Sequence, residues 1–149
     1  MADWDFYQAK INDSLASIYL NLDAEKELRP ENTQLYWFFI KLKIEREDGL
    51  SHDDEVESLY EFEDSLISSM CSEELEYVGR ITTAGMRQFY FYGTTNIDYD
   101  ELCKDFLKDN SSYLYQTNSK EDSEKSHYKN VMYPGKIGLE QIYKRRRNA

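Results

Sequence analysis

The clearest alternation of apolar and polar positions lies in LYWFFIKLKI, Leu35 to Ile44. Tyr36, Phe38, Ile40, Leu42 and Ile44 share one face at the two-residue period of a strand, while Leu35, Trp37, Phe39, Lys41 and Lys43 share the other. The first face is core. The second starts aromatic and ends in lysine, which suits either a central strand whose far side is partly covered or a strand whose Trp37 and Phe39 meet a partner. Two shorter strands precede it, Trp4 to Ala9 and, after the Asn12-Asp13 turn, Leu15 to Leu22. Glu76 to Thr83 and Arg87 to Tyr92 flank Ala84-Gly85 and read as a hairpin. Its second arm is aromatic on both faces, as in a buried strand. Tyr113 to Thr117 gives a last short strand.

Between these strands the period lengthens to that of a helix. From Val56 the apolar positions Leu59, Tyr60, Leu66, Ile67 and Met70 form a stripe with Phe62 at its edge, predicting an amphipathic helix over 54–70. Ser51, His52, Asp53 and Asp54 offer its N-terminal cap. Glu55, Glu57, Glu61 and Asp64 fall outside the stripe and are expected to face solvent, whereas Glu63 falls within it and needs a partner or a peripheral position. Arg80 and Arg87, both on the hairpin, are the side chains that would reach Glu63 or Asp64 in a salt bridge. A second helix, Tyr99 to Leu107, follows Asp98 as its cap, with Leu102, Cys103, Phe106 and Leu107 on the apolar side. The segment 118–127 is polar and is expected to be a mobile approach to a short helix that Asp122 or Ser123 caps and that ends near Met132, before Pro134. Gly138 to Arg147 closes the chain as a frayed helix. The predicted fold is α+β: one domain over 1–149, a mainly antiparallel sheet of about six strands, two main helices on one side and a short C-terminal helix.

Charge changes this picture more than composition does. The 149 residues carry a net charge of -11, yet residues 45–76 hold 13 acids and one base, so the rest of the chain is close to neutral. A field of that sign repels nucleic-acid phosphates and anionic membranes and attracts a basic protein. The opposing feature is the basic tail, KRRR within 144–149, read as a solvated end. No apolar run is long enough to span a bilayer, and MADWDFYQ lacks the regions of a secretion signal, so a cytoplasmic location is expected. Cys71 and Cys103 have no metal-ligand or redox spacing and are expected to be buried thiols.

Several stretches resemble the bacterial family called domain of unknown function 695. They are Trp4 and Tyr7, Asp48-Gly49-Leu50, Leu66 at the end of an acidic helix, Tyr77-Val78-Gly79-Arg80, Arg87 to Tyr92, and Tyr128 with Tyr133-Pro134. The resemblance spans 4–134 and carries no catalytic signature. In some members this domain looks like the N-terminal companion of a module related to RraB, an acidic inhibitor of an RNA-degrading endonuclease. That context implies a regulator of RNA decay. Small acidic proteins of this kind also look like immunity partners of bacterial toxins.

Catalytic chemistry has few residues to use. His52 and His127 are the two histidines, each in a polar setting that suggests a solvated side chain, and His52-Asp53-Asp54 lacks the spaced partners of a metal site. GxSxG, HExxH and phosphate-cradling glycine loops are absent, and 13 acids in 32 residues supply carboxylate pairs at every spacing. The expectation is therefore a non-enzymatic binding protein without cofactor or metal. Its partner would be a basic protein, a toxin or nuclease, rather than nucleic acid or membrane. The expected contacts are Asp53, Asp54, Glu57, Glu61 and Asp64, with Tyr60 or Trp37 as an aromatic anchor. The rivals are a regulator of an RNA-decay enzyme and a soluble domain with a small-ligand site.

Overall fold

A computed structural model describes residues 1–148. Six strands form one antiparallel sheet: β1 (Trp4–Ile11), β2 (Ser14–Asn21), β3 (Gln34–Lys41), β4 (Leu75–Thr83), β5 (Met86–Gly93) and β6 (Tyr115–Glu121). Their order is β1-β2-β4-β5-β3-β6, so β3 and the β4–β5 hairpin, the most apolar strands, lie inside, and β1 and β6 are the edges. Burial follows composition: interior strands need apolar side chains on both faces.

The helices are α1 (Ala24–Glu27), α2 (Val56–Met70), α3 (Tyr99–Leu107) and α4 (Lys136–Arg147). One sheet face supplies Phe38, Ile40, Phe89 and Phe91, which close against Leu59, Phe62 and Leu66 of α2 and Phe106 of α3. Phe62 is the hub of this layer, with ring centroids 5.3 Å from Phe106 and 5.9 Å from both Phe38 and Phe89. Each such ring stabilises the fold by about 2 kcal/mol through burial. The other face supplies Ile18, Leu20, Leu35 and Tyr92, covered by Tyr128, Met132 and Ile142. The α+β architecture with a six-stranded antiparallel sheet is thus the one expected.

The last third departs from the reading of 118–127 as a mobile segment. Residues 118–121 belong to β6, which runs beside β3 from the Gln34–Glu121 pair to the Ile40–Tyr115 pair without a shift. Asp122 then turns inward. Its carboxylate accepts from Tyr92 Oη (2.7 Å) and from the amides of Ser126 (2.8 Å) and His127 (3.0 Å), capping a short helix that passes into a π turn over Tyr128–Met132. Asp122 is one of the two caps expected, beside Ser123; what the polar composition concealed is the strand, because an edge strand needs no apolar alternation, and the burial of the cap, a single carboxylate. Two of the four basic residues of the tail are engaged as well. Arg146 and Arg145 pair with Asp5 at 2.8 and 2.6 Å, and Arg146 also pairs with Asp3 at 2.8 Å.

Candidate interaction surface

The acidic helix begins at a half-buried histidine. His52 Nδ1 accepts the Asp54 amide at 3.0 Å and starts a single 3-10 turn, Asp53–Glu55, that leads into α2. Of the four cap candidates it is therefore His52 that caps, with its side chain still 37% exposed, and the acids after it suit the helix N-terminus. Glu55 departs from expectation: it is buried. It stands before the regular helix, off the solvent-facing stripe. Its carboxylate accepts the amides of Lys43 and Ile44, at 2.9 to 3.1 Å, and the Tyr113 hydroxyl at 2.9 Å. Desolvation pushes its pKa up, but those donors outweigh it and hold the group below the ordinary carboxylate value.

Glu63, 7% exposed, has the partner its position demanded. Arg80 Nη1 lies 2.5 Å from one carboxylate oxygen, and Tyr77 Oη donates to the other at 3.2 Å. Two residues of β4 reach one carboxylate because the strand bulges between Tyr77 and Gly79, so that Tyr77 pairs with Phe91 and Arg80 with Phe89, and both point toward α2. Gly79 allows this with φ +148° and a backbone so close to β2 that a Cβ would lie 2.3 Å from the Tyr19 carbonyl oxygen. Arg80 in turn stacks on Tyr19, 4.4 Å to the ring, with Tyr60 5.9 Å away. Arg87 does not share Glu63. It is 6% exposed, donating to Thr82 (3.0 Å) and Ser51 (3.4 Å), and burial lowers its pKa to about 10.

With Glu55 and Glu63 turned inward, Asp53, Asp54, Glu57, Glu61 and Asp64 remain on the outer face, all exposed, with Tyr60 among them at 53% exposure. Among the described residues Asp53, Glu57, Glu61 and Asp64 form no salt bridge, and Asp54 meets only His52, at 3.7 Å. Of the remaining acids in 45–76, Asp48 is occupied by Arg46 (2.6 Å), Glu73 by Arg29 (3.0 Å) and Glu76 by Asn32 (2.6 Å), while Glu45, Glu47 and Glu74 form no salt bridge among the described residues. Six of the seven expected contacts therefore fall on one surface. Trp37 does not. Its side chain is half-buried on the opposite sheet face, beside Phe39 at 6.1 Å, so it cannot anchor a partner seated on α2. Alternation in β3 separated the two faces correctly; which helix covers which face was not legible in it.

His127, the other histidine, is held 4.2 Å from the Tyr90 ring with Nε2 buried, and desolvation lowers its pKa to about 4. Cys71 and Cys103 are free thiols pushed up to about 11 by burial, which suppresses thiolate chemistry. Among the described residues no group of three or more His, Cys, Asp or Glu could hold a metal ion. None of the described helices is long and apolar enough to cross a membrane.

Fold and surface define an antiparallel α+β domain whose helix α2 displays an outer face of acids that form no salt bridge with a lysine or arginine among the described residues. The chain belongs to the Family of unknown function (DUF695), whose model matches residues 2–133. No curated protein and no solved structure matches it.

Proposed function

We propose that this chain is a non-enzymatic acidic binding protein that neutralises a cationic protein partner through the outer face of α2. The observation that supports this reading is the absence of internal counter-charge: Asp53, Glu57, Glu61 and Asp64 form no salt bridge among the described residues, while Arg145 and Arg146 of the tail are engaged on Asp3 and Asp5 of β1. Such a surface accelerates encounter with a basic partner, and Tyr60 offers an apolar anchor amid the acids. An immunity protein that blocks a nuclease-type bacterial toxin fits best, since a nucleic-acid-cutting site is itself electropositive and carboxylates would stand where phosphates bind. A regulator of an RNA-decay enzyme would use the same surface, and the identity of the partner separates the two.

The test is retention of host-lysate proteins on the immobilised chain at low salt, elution with rising salt, and kinetics of the eluted protein on wild type and on Glu57→Lys, Glu61→Lys, Asp64→Lys combined. The expected result is an association rate lowered at least about tenfold by the triple reversal and lowered by salt in wild type. Unchanged rate and affinity would sink the reading. A small-ligand site is the second reading, and what favours it is a groove of about 690 Å³ on another part of the molecule, lined by Phe39, Leu50, Met86, Leu114, Lys41 and Arg46.

A further inference from the structure

The two sheet edges are treated differently. At the middle of β1 the outward backbone groups are already occupied, most of them by α4: Gln141 accepts from the Gln8 amide at 3.0 Å and donates to the Gln8 carbonyl at 2.9 Å, Arg145 donates to the Phe6 carbonyl, and the Asp5 carboxylate accepts the Phe6 amide at 2.8 Å. Side chains there do what a further strand would do. Charges at Asp5 and Lys10 add to the protection.

At β6 nothing equivalent exists among the described residues. The Lys41 amide bonds the Leu114 carbonyl at 3.0 Å, and the Asp122 amide bonds the Thr33 carbonyl at 2.8 Å. Even-numbered residues therefore bond to β3, and the amides and carbonyls of Tyr115, Thr117 and Ser119 face outward. Of these, the Ser119 amide has one local partner, the Asn118 side chain at 2.8 Å. The strand contains no proline, glycine or register shift, and residues 110–119 carry no charge at all in a chain that is 32% charged. Natural edge strands are blunted by charge, proline, bulges or a cover. From Tyr115 to Ser119 this one has none of them.

We propose that β6 is a dimerisation edge: two copies of this chain pair antiparallel about Thr117, joining their six-stranded sheets into one. Pairing about Thr117 sets Thr117 opposite its own copy and Tyr115 opposite Ser119, so the outward groups of residues 115–119 find donors and acceptors. It also sets uncharged residues against uncharged residues, with Lys120 and Glu121 outside the central run. The acidic helices do not oppose it. In each copy α3 packs beside α2 and lies over Phe38 of β3. Four helices at ordinary packing distances then place the two α2 axes about 27 Å apart, several times the screening length of about 8 Å at physiological salt.

The experiment is sedimentation equilibrium of the full chain at physiological salt, from micromolar up to about 0.2 mM, with amide exchange at both ends of the range. The expected result is a twofold rise in mass with concentration, and protection of the Tyr115, Thr117 and Ser119 amides that grows with the dimer. Thr117→Pro removes an outward amide and no bond to β3, and Gln116→Lys with Asn118→Lys sets lysines against lysines across the new pair. Both are expected to stay monomeric with an unchanged circular dichroism spectrum. If Thr117→Pro fails to fold, the lysine pair decides alone. A chain that stays monomeric throughout, or a dimer that survives the lysine pair with fast β6 amides, overturns the proposal.

Discussion

Three acids turn inward in this protein, and fixed donors answer each of them: strand-end amides and a tyrosine for Glu55, Arg80 and Tyr77 for Glu63, Tyr92 and two helix amides for Asp122. Glu63 is the most exposed to perturbation, because it is the anion beside two arginines. Glu63→Ala leaves Arg80 without a carboxylate next to the buried Arg87 and is expected to cost about 3–5 kcal/mol in urea unfolding. Glu63→Gln keeps an acceptor for both donors and should cost clearly less; a loss under about 1 kcal/mol for the alanine variant would refute the account. His127 sets the acid limit. Its folded pKa of about 4 lies below its ordinary 6.5, so the unfolded chain takes up the proton first, and stability falls as pH drops from about 6.5 to about 4. The full loss is of order 3 kcal/mol, and His127→Phe, which keeps a ring against Tyr90, should flatten that part of the stability–pH curve. Glu55 and Asp122, both held below their ordinary carboxylate values, contribute stability at neutral pH that is lost lower still.

At the scale of elements, one irregular strand decides how the acidic helix is attached. The bulge at Val78-Gly79 in β4 turns Tyr77 and Arg80 to the same side, and without it one of them would point away from Glu63. Gly79→Ala meets both a backbone conformation that alanine avoids and the Tyr19 carbonyl. It is expected to lower stability by more than about 2 kcal/mol in urea unfolding and to weaken amide protection in α2 more than in α3. Equal loss in both helices would show that the bulge holds the sheet rather than the helix. The same elements show what a sequence reveals. β3, β5 and α2 were legible because each writes its burial as a period, two residues for a strand and three to four for a helix. β6 was read as ending at Thr117, four residues short, because YQTNSKE lies at an edge and has no buried face to spell out. The choice of Arg80 over Arg87 for Glu63 was illegible for a related reason: it depends on a bulge marked only by a glycine.

At the scale of the whole molecule, the acids of α2 ought to be a burden on the free protein. Five unbalanced carboxylates on and just before one helix repel one another in a chain of net charge -11, and only those in or before the first turn of α2 have the helix dipole in their favour. If they serve to bind a cation, the isolated protein tolerates a loss of stability that its partner repays. Salt should therefore raise the melting temperature of the free chain by screening that repulsion, in the range where screening shortens from about 10 Å at 0.1 M to about 3 Å at 1 M. Reversing Glu57, Glu61 and Asp64 to lysine adds two charges at each site and takes the net charge from -11 to -5. The triple variant should melt higher than wild type at low salt and respond less to added salt, while losing the partner. A variant that melts lower would mean that these acids support the fold directly, and the argument that they are kept for a partner would fail with it.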